Sequence, residues 1–170
     1  MASLGDLDGD GVTDLAVGAI SDGFIEGSSR GAVYVQFMNL NGTVKSSVKI
    51  ASDTNGGPTI SNQDYFGRSM VSLGDLDGDG VIDLAVGAFL NDTGGTNCGA
   101  VYVLLMNSNG TVKSNVKLAS GTNGGPTLVN GDSFGSSVAS LGDVDGDGVT
   151  DLAVGADGDD TGGSYRGAVH

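Results

Sequence analysis

The segment Ser3-Leu4-Gly5-Asp6-Leu7-Asp8-Gly9-Asp10-Gly11-Val12 recurs unchanged from Ser72 and, with one Leu-to-Val change, from Ser140. Asp6, Asp75 and Asp143 are therefore equivalent positions, separated by 69 and then 68 residues, and Ala32, Ala100 and Ala168 are separated by 68 each time. Self-similarity at such a period marks an array of small units, each burying its apolar face against its neighbours. The chain holds two full periods and about half of another. The single-residue difference in spacing falls between Ile20 and Gly31, which marks that stretch as a surface loop.

Each period reads as four short strands. The first follows Phe-Gly, over Phe66–Val71 and Phe134–Ala139. The second follows the acidic segment, over Asp14–Ala19 with copies from Asp83 and Asp151, and the third runs over Gly31–Met38 and Gly99–Met106. In the fourth, Val44, Ser46, Val48 and Ile50 alternate with Lys45, Ser47 and Lys49, and its copy sets Val112, Ser114, Val116 and Leu118 against Lys113, Asn115 and Lys117. Asn41-Gly42 and Asn109-Gly110 join strands three and four as tight hairpins. Lysine discourages edge-to-edge pairing, so the fourth strand, which carries all four lysines of the chain, is placed outermost. Four antiparallel strands per repeat predict an all-β chain of β-propeller blades. The expected units are residues 1–63 (first strand truncated), 64–131 and 132–170 (fourth strand missing).

The formal charge is −14, which argues against a nucleic-acid partner, and no apolar run is long enough to cross a membrane. Twelve of the 21 acidic residues sit in three short loops, four in each. Each loop reads Asp-x-Asp-x-Asp-Gly-x-x-Asp: Asp6, Asp8, Asp10, Asp14; Asp75, Asp77, Asp79, Asp83; Asp143, Asp145, Asp147, Asp151. Carboxylates at positions 1, 3 and 5 converge when the chain curls around one point, and the glycine that follows allows the sharp turn. A backbone carbonyl at position 7 (Val12, Val81, Val149) and a bidentate Asp at position 9 would complete an oxygen shell. Oxygen-only donors point to a hard cation, and flexible geometry favours calcium over magnesium, so three Ca2+ per chain are expected. The EF-hand alternative fails, since position 12 is Val17, Val86 or Val154, inside an apolar β-type run instead of a Glu before a helix.

Taken together, the Asp loops, Phe66-Gly67 and Phe134-Gly135, and Gly18-Ala19, Gly87-Ala88 and Gly155-Ala156 resemble the FG-GAP repeats of the integrin α-subunit propeller and their bacterial relatives. The resemblance spans essentially the whole chain. It departs where proline is expected after Gly-Ala, since Ile20, Phe89 and Asp157 stand there. It implies structural calcium on hairpin loops between the first two strands of each blade, an extracellular or cell-surface setting, and a role in adhesion or recognition of a protein or glycan ligand. The alternative is an accessory propeller of a secreted enzyme whose catalytic domain lies elsewhere. Catalysis on the propeller itself is not expected: no Ser-His-Asp set is present, and the one histidine is His170. His170 stands where the repeats have Tyr34 and Tyr102, so Met1 reads as an added start and His170 as the start of a tag. The chain is then expected to be a piece of a longer array that completes its ring as a homo-oligomer.

Smaller features have plain expectations. Phe66 and Phe134 fill the core between blades, and Tyr34 and Tyr102 pack. Cys98 is a small, partly buried apolar residue that cannot form an intrachain disulfide, and its register position, shared with Arg30 and Arg166, is exposed. Asp157-Gly158-Asp159-Asp160 is a solvated loop.

Overall fold

The computed structural model of the chain describes residues 1–23, 28–164 and 166–170. Part of the loop expected between Ile20 and Gly31, residues 24–27, lies outside the described residues. The described residues are all-β, so no helix long and apolar enough to cross a membrane is among them. Strands β1 (Ala2–Gly5), β2 (Asp14–Ala19), β3 (Ala32–Met38) and β4 (Val44–Ile50) form one antiparallel sheet in that order. Strands β5 (Met70–Gly74), β6 (Asp83–Ala88), β7 (Ala100–Met106) and β8 (Val112–Ala119) repeat it. Strands β9 (Phe134–Gly142), β10 (Asp151–Ala156) and β11 (Ala168–Val169) form a third sheet, with β10 central. These are propeller blades built from sequential antiparallel strands.

The lysine-bearing fourth strand lies at the edge of each four-stranded sheet, as expected. Second-strand residues are buried on both faces where a blade lies between two others: Asp83 to Ala88 are buried throughout. That is why these strands are continuous apolar runs, whereas β4, exposed along most of its length, alternates.

The Phe-Gly and Gly-Ala pairs turn out to be the joint between blades. Gly18 and Gly87, the glycines of Gly-Ala, face the backbone of the next blade: a Cβ on Gly18 would lie 2.0 Å from the Gly67 carbonyl oxygen, and one on Gly87 2.1 Å from that of Gly135. Any side chain there would force the blades apart. The Phe66 and Phe134 amides donate to the carbonyls of Arg30 and Cys98, both at 2.9 Å, and form parallel bridges to Gly31 and Gly99. Both phenylalanine rings are buried, and Phe66 meets Tyr102 edge-on at 5.7 Å.

Three expectations are corrected here. The first strand of the second blade begins at Met70 and not at Phe66, whereas β9 begins at the expected Phe134: both phenylalanine amides bond to the preceding blade, but only Phe134 also pairs with its own second strand, at Ala156. Tyr34 is half-buried and donates to Asp22 at 2.7 Å, so it makes a polar contact in addition to packing. Cys98 is fully buried with its Sγ against the Val129 carbonyl at 3.3 Å, whereas Arg30 and Arg166 at the same register are exposed. Arg30 reaches outward to Asn62, which the short cysteine cannot do.

Leu4 and Leu73 are 1% and 3% exposed because the next blade covers them, while the equivalent Leu141 is 55% exposed. Val144 and Val149 on the same blade are also exposed.

Candidate metal centres

Each Asp loop leaves the first strand of its blade through a register shift and re-enters the sheet at the second strand. Between these fixed ends the loop is shaped by its own carboxylates. Asp6 accepts from the amides of Asp10 and Gly11 at 2.9 and 2.8 Å. Asp75 accepts from Gly78, Asp79 and Gly80, and Asp143 from Gly146 and Gly148. Asp10, Asp79 and Asp147 each accept from the amide two residues on, that of Val12, Val81 and Val149. The curl requires positive φ at two glycines per loop, 78° and 86° at Gly9 and Gly11, with near-equal values in the copies. A β-carbon there is disfavoured by the backbone even though space is open around it.

The result is convergence. Asp6, Asp8 and Asp10 place one carboxylate oxygen each within 4.8 Å of one another, as do Asp75, Asp77 and Asp83, and Asp143, Asp145 and Asp151. Most of these carboxylates face solvent; the ninth-position residues are different. Asp14 and Asp83 are both 0% exposed. Each carboxylate bridges two strands' worth of backbone: Asp14 accepts from Leu7 at 3.0 Å and Met38 at 2.9 Å, and Asp83 from Leu76 and Met106, both at 2.8 Å. Asp151 is half-buried and accepts from Val144 at 2.8 Å. Burial pushes the Asp83 carboxyl above its usual range, against the opposing effect of its two amide donors. Val12 and Val81 are half-buried and Val149 is exposed at the rim of the third loop.

A cationic group adjoins two of the loops. The Lys45 ammonium lies 2.7 Å from Asp8 and 2.5 Å from Asp10, and Lys113 repeats the contact with Asp77, at 2.6 Å, and Asp79. The ammonium groups hold Asp10 and Asp79 below the ordinary carboxylate range, aided by the Val12 and Val81 amides, and the carboxylates raise both lysines. Edge protection alone, the role that sequence pattern gives these lysines, does not connect them with the loops. The available signal is their register, one residue into the strand after each Asn-Gly turn.

The donor set fits a hard cation: oxygen atoms alone, several of them anionic, gathered in a loop already curled by its own hydrogen bonds. Comparison with known proteins agrees with the repeat pattern. Residues 6–86 match the FG-GAP-like repeat model and residues 134–170 the FG-GAP repeat model. The chain belongs to the FG-GAP repeat family.

Integrin α subunits are among the relatives of this FG-GAP chain. It is 33% identical to integrin alpha-PS5 of Drosophila melanogaster over 153 residues, 90% of this chain and 14% of that protein. It is 33% identical to integrin alpha-4 of Xenopus laevis over 151 residues, 89% and 13% of the two chains, and 36% identical to human integrin alpha-11 over 157 residues, 89% and 12%. The chain thus spans about an eighth of the length of these relatives. Within it, the motif residues serve two separate purposes. Phe-Gly and Gly-Ala lock blade to blade, while the Asp loops lie at the turn between first and second strands.

Proposed function

We propose that this chain is a segment of a calcium-stabilised β-propeller that serves as an extracellular or cell-surface interaction scaffold, with calcium structural and not catalytic. The observation that carries it is that each of the three loops brings three carboxylates within 4.8 Å, at positions 1, 3 and 5 in the first loop (Asp6, Asp8, Asp10) and at positions 1, 3 and 9 in the second and third (Asp75, Asp77, Asp83; Asp143, Asp145, Asp151). The ions would be held by Asp6, Asp8, Asp10, the Val12 carbonyl and Asp14; by Asp75, Asp77, Asp79, Val81 and Asp83; and by Asp143, Asp145, Asp147, Val149 and Asp151. A divalent cation offsets the mutual repulsion of four carboxylates and fixes the loop's shape. Stiff loops repeated along one edge suit recognition of a protein or glycan, and the integrin relatives favour an adhesive setting.

The units are taken as 1–63, 64–131 and 132–170. The bare apolar positions of the third, Leu141, Val144 and Val149, suit another blade surface, and we assign that role to a further copy of the chain in a closed homo-oligomer. Native mass spectrometry in calcium and after chelation tests both parts. Three calcium ions per chain in a closed oligomer are expected. A calcium-free species with the same mass and folded charge states overturns the metal assignment, and a monodisperse monomer in calcium overturns the oligomer.

A further inference from the structure

Two of the four lysines touch the Asp loops and two do not, although all four sit on edge strands. Lys49 pairs with Asp22 at 2.5 Å, and Lys117 donates to Thr93 at 3.1 Å. Lys45 and Lys113, each the second residue of its strand, instead place their ammonium groups on the carboxylates of positions 3 and 5. Protection of a sheet edge requires a lysine on the strand; it does not require this aim. No lysine lies against the third loop among the described residues.

An ammonium bridging two carboxylates does part of what a metal ion does. It offsets like-charge repulsion and keeps the loop closed without an ion. Calcium must then displace the ammonium, or bind beside its positive charge, and either route weakens the ion's net gain. Resting on the calcium reading, we propose that Lys45 and Lys113 are tethered counter-ions that compete with calcium at the first and second loops. These two loops accordingly fill at higher calcium concentration than they would without the lysines, and stay shaped when empty.

The test is calorimetric titration of the full chain with calcium chloride at low ionic strength, with ions counted by native mass spectrometry. The proteins compared are wild type, the K45Q/K113Q double variant and K45R/K113R. With one exposed ion-pair network removed per loop, two of three ions should bind about three- to tenfold tighter in the glutamine variant. The third ion should bind as in wild type, and the arginine variant should resemble wild type because charge and reach are kept. In chelator the glutamine variant should melt below wild type, having lost the internal counter-ion. If wild type binds calcium and the glutamine variant binds it equally or more weakly, the competition is overturned and the calcium reading stands. If neither protein takes up calcium, the calcium reading falls and this inference with it.

Discussion

Asp83 occupies the last ligand position of its loop, yet its burial predicts that it matters to the fold even with no metal bound. Both oxygens accept backbone amides at 2.8 Å, one from the loop (Leu76) and one from the end of β7 (Met106), and the residue is 0% exposed. In Asp83→Asn the amide oxygen keeps one of these donors, while its NH2 group confronts the other. A buried N–H left without a partner costs about 1–3 kcal/mol, and a hydrogen bond to a charged acceptor is worth about 1.5–3 kcal/mol. Against this, the substitution removes a carboxylate whose charged form is penalised by burial, so the net loss is set at about 1–3 kcal/mol. At about 2–4 °C per kcal/mol for a chain of this size, the melting temperature in chelator should fall by about 2–12 °C. Asp145→Asn is the control. Asp145 is exposed and its nearest partner is the Asp147 amide at 3.1 Å, which an asparagine oxygen still satisfies. Its melting temperature in chelator should stay within about 2 °C of wild type, as for surface substitutions generally. Each variant should lose one calcium ion by native mass spectrometry. Equal melting of Asp83→Asn and wild type in chelator would refute the structural role of the ninth-position aspartate.

Further outcomes follow from the same contacts. Gly87→Ala drives a Cβ to within 2.1 Å of the Gly135 carbonyl and 2.3 Å of the Ser69 hydroxyl, so overpacking should cost about 1–3 kcal/mol by thermal denaturation. A variant as stable as wild type would show that these blades part freely. Calcium at a hundredfold excess over its dissociation constant should add about 2.7 kcal/mol for each occupied loop, read as a rise in melting temperature over chelator. Asp64 is buried and its carboxyl is raised by desolvation, so the folded state binds its proton more tightly than the unfolded chain does. Its contribution to stability therefore falls as pH rises from the ordinary carboxylate range through the elevated folded pKa. Asp64→Asn should remove that slope from melting curves taken in chelator from the ordinary carboxylate range, about pH 4, upward. A slope unchanged by the substitution would assign it to other groups.

The strands most legible in the sequence are those whose patterns have one cause. The second strand follows an Asp-Gly loop and ends at Gly-Ala, and β2, β6 and β10 occupy the expected residues. The fourth strand alternates in sequence and β4 spans the expected Val44–Ile50, although its burial does not alternate, with Val44 to Ser47 exposed and Ile50 buried. Phe66 and Phe134 both have the look of a strand start and both commit their amides to the preceding blade, but only Phe134 also pairs with its own second strand, at Ala156, a difference that local pattern does not encode. Cys98 is illegible for the same kind of reason: register equivalence with two arginines says nothing about which way a side chain turns once its length changes. The lysines are visible in the sequence as charges on an edge, but their reach across the Asn-Gly hairpin to Asp8, Asp10, Asp77 and Asp79 depends on how that hairpin lies over the loop.

The Asp loops are asymmetric in a way that bears on how calcium acts. Their first, third and fifth positions face solvent, whereas the ninth is anchored inside the sheet at Asp14 and Asp83. The anchor bonds one loop amide and the amide at the end of the third strand, so it ties loop, second strand and third strand together before any ion arrives. An ion bridging exposed and anchored carboxylates would extend that tie outward to the part of the loop that has least protein around it. In the third blade Asp151 is half-buried and Leu141 and Val144 are bare, so less of the loop is held by packing. Calcium should accordingly reduce backbone amide exchange most in residues 143–149, and less in 6–12 and 75–81, where Lys45 and Lys113 and the next blade already support the loop. Exchange measured with and without chelator checks this order, and a uniform effect across the three loops would show that packing and counter-ions leave no residual freedom for calcium to remove.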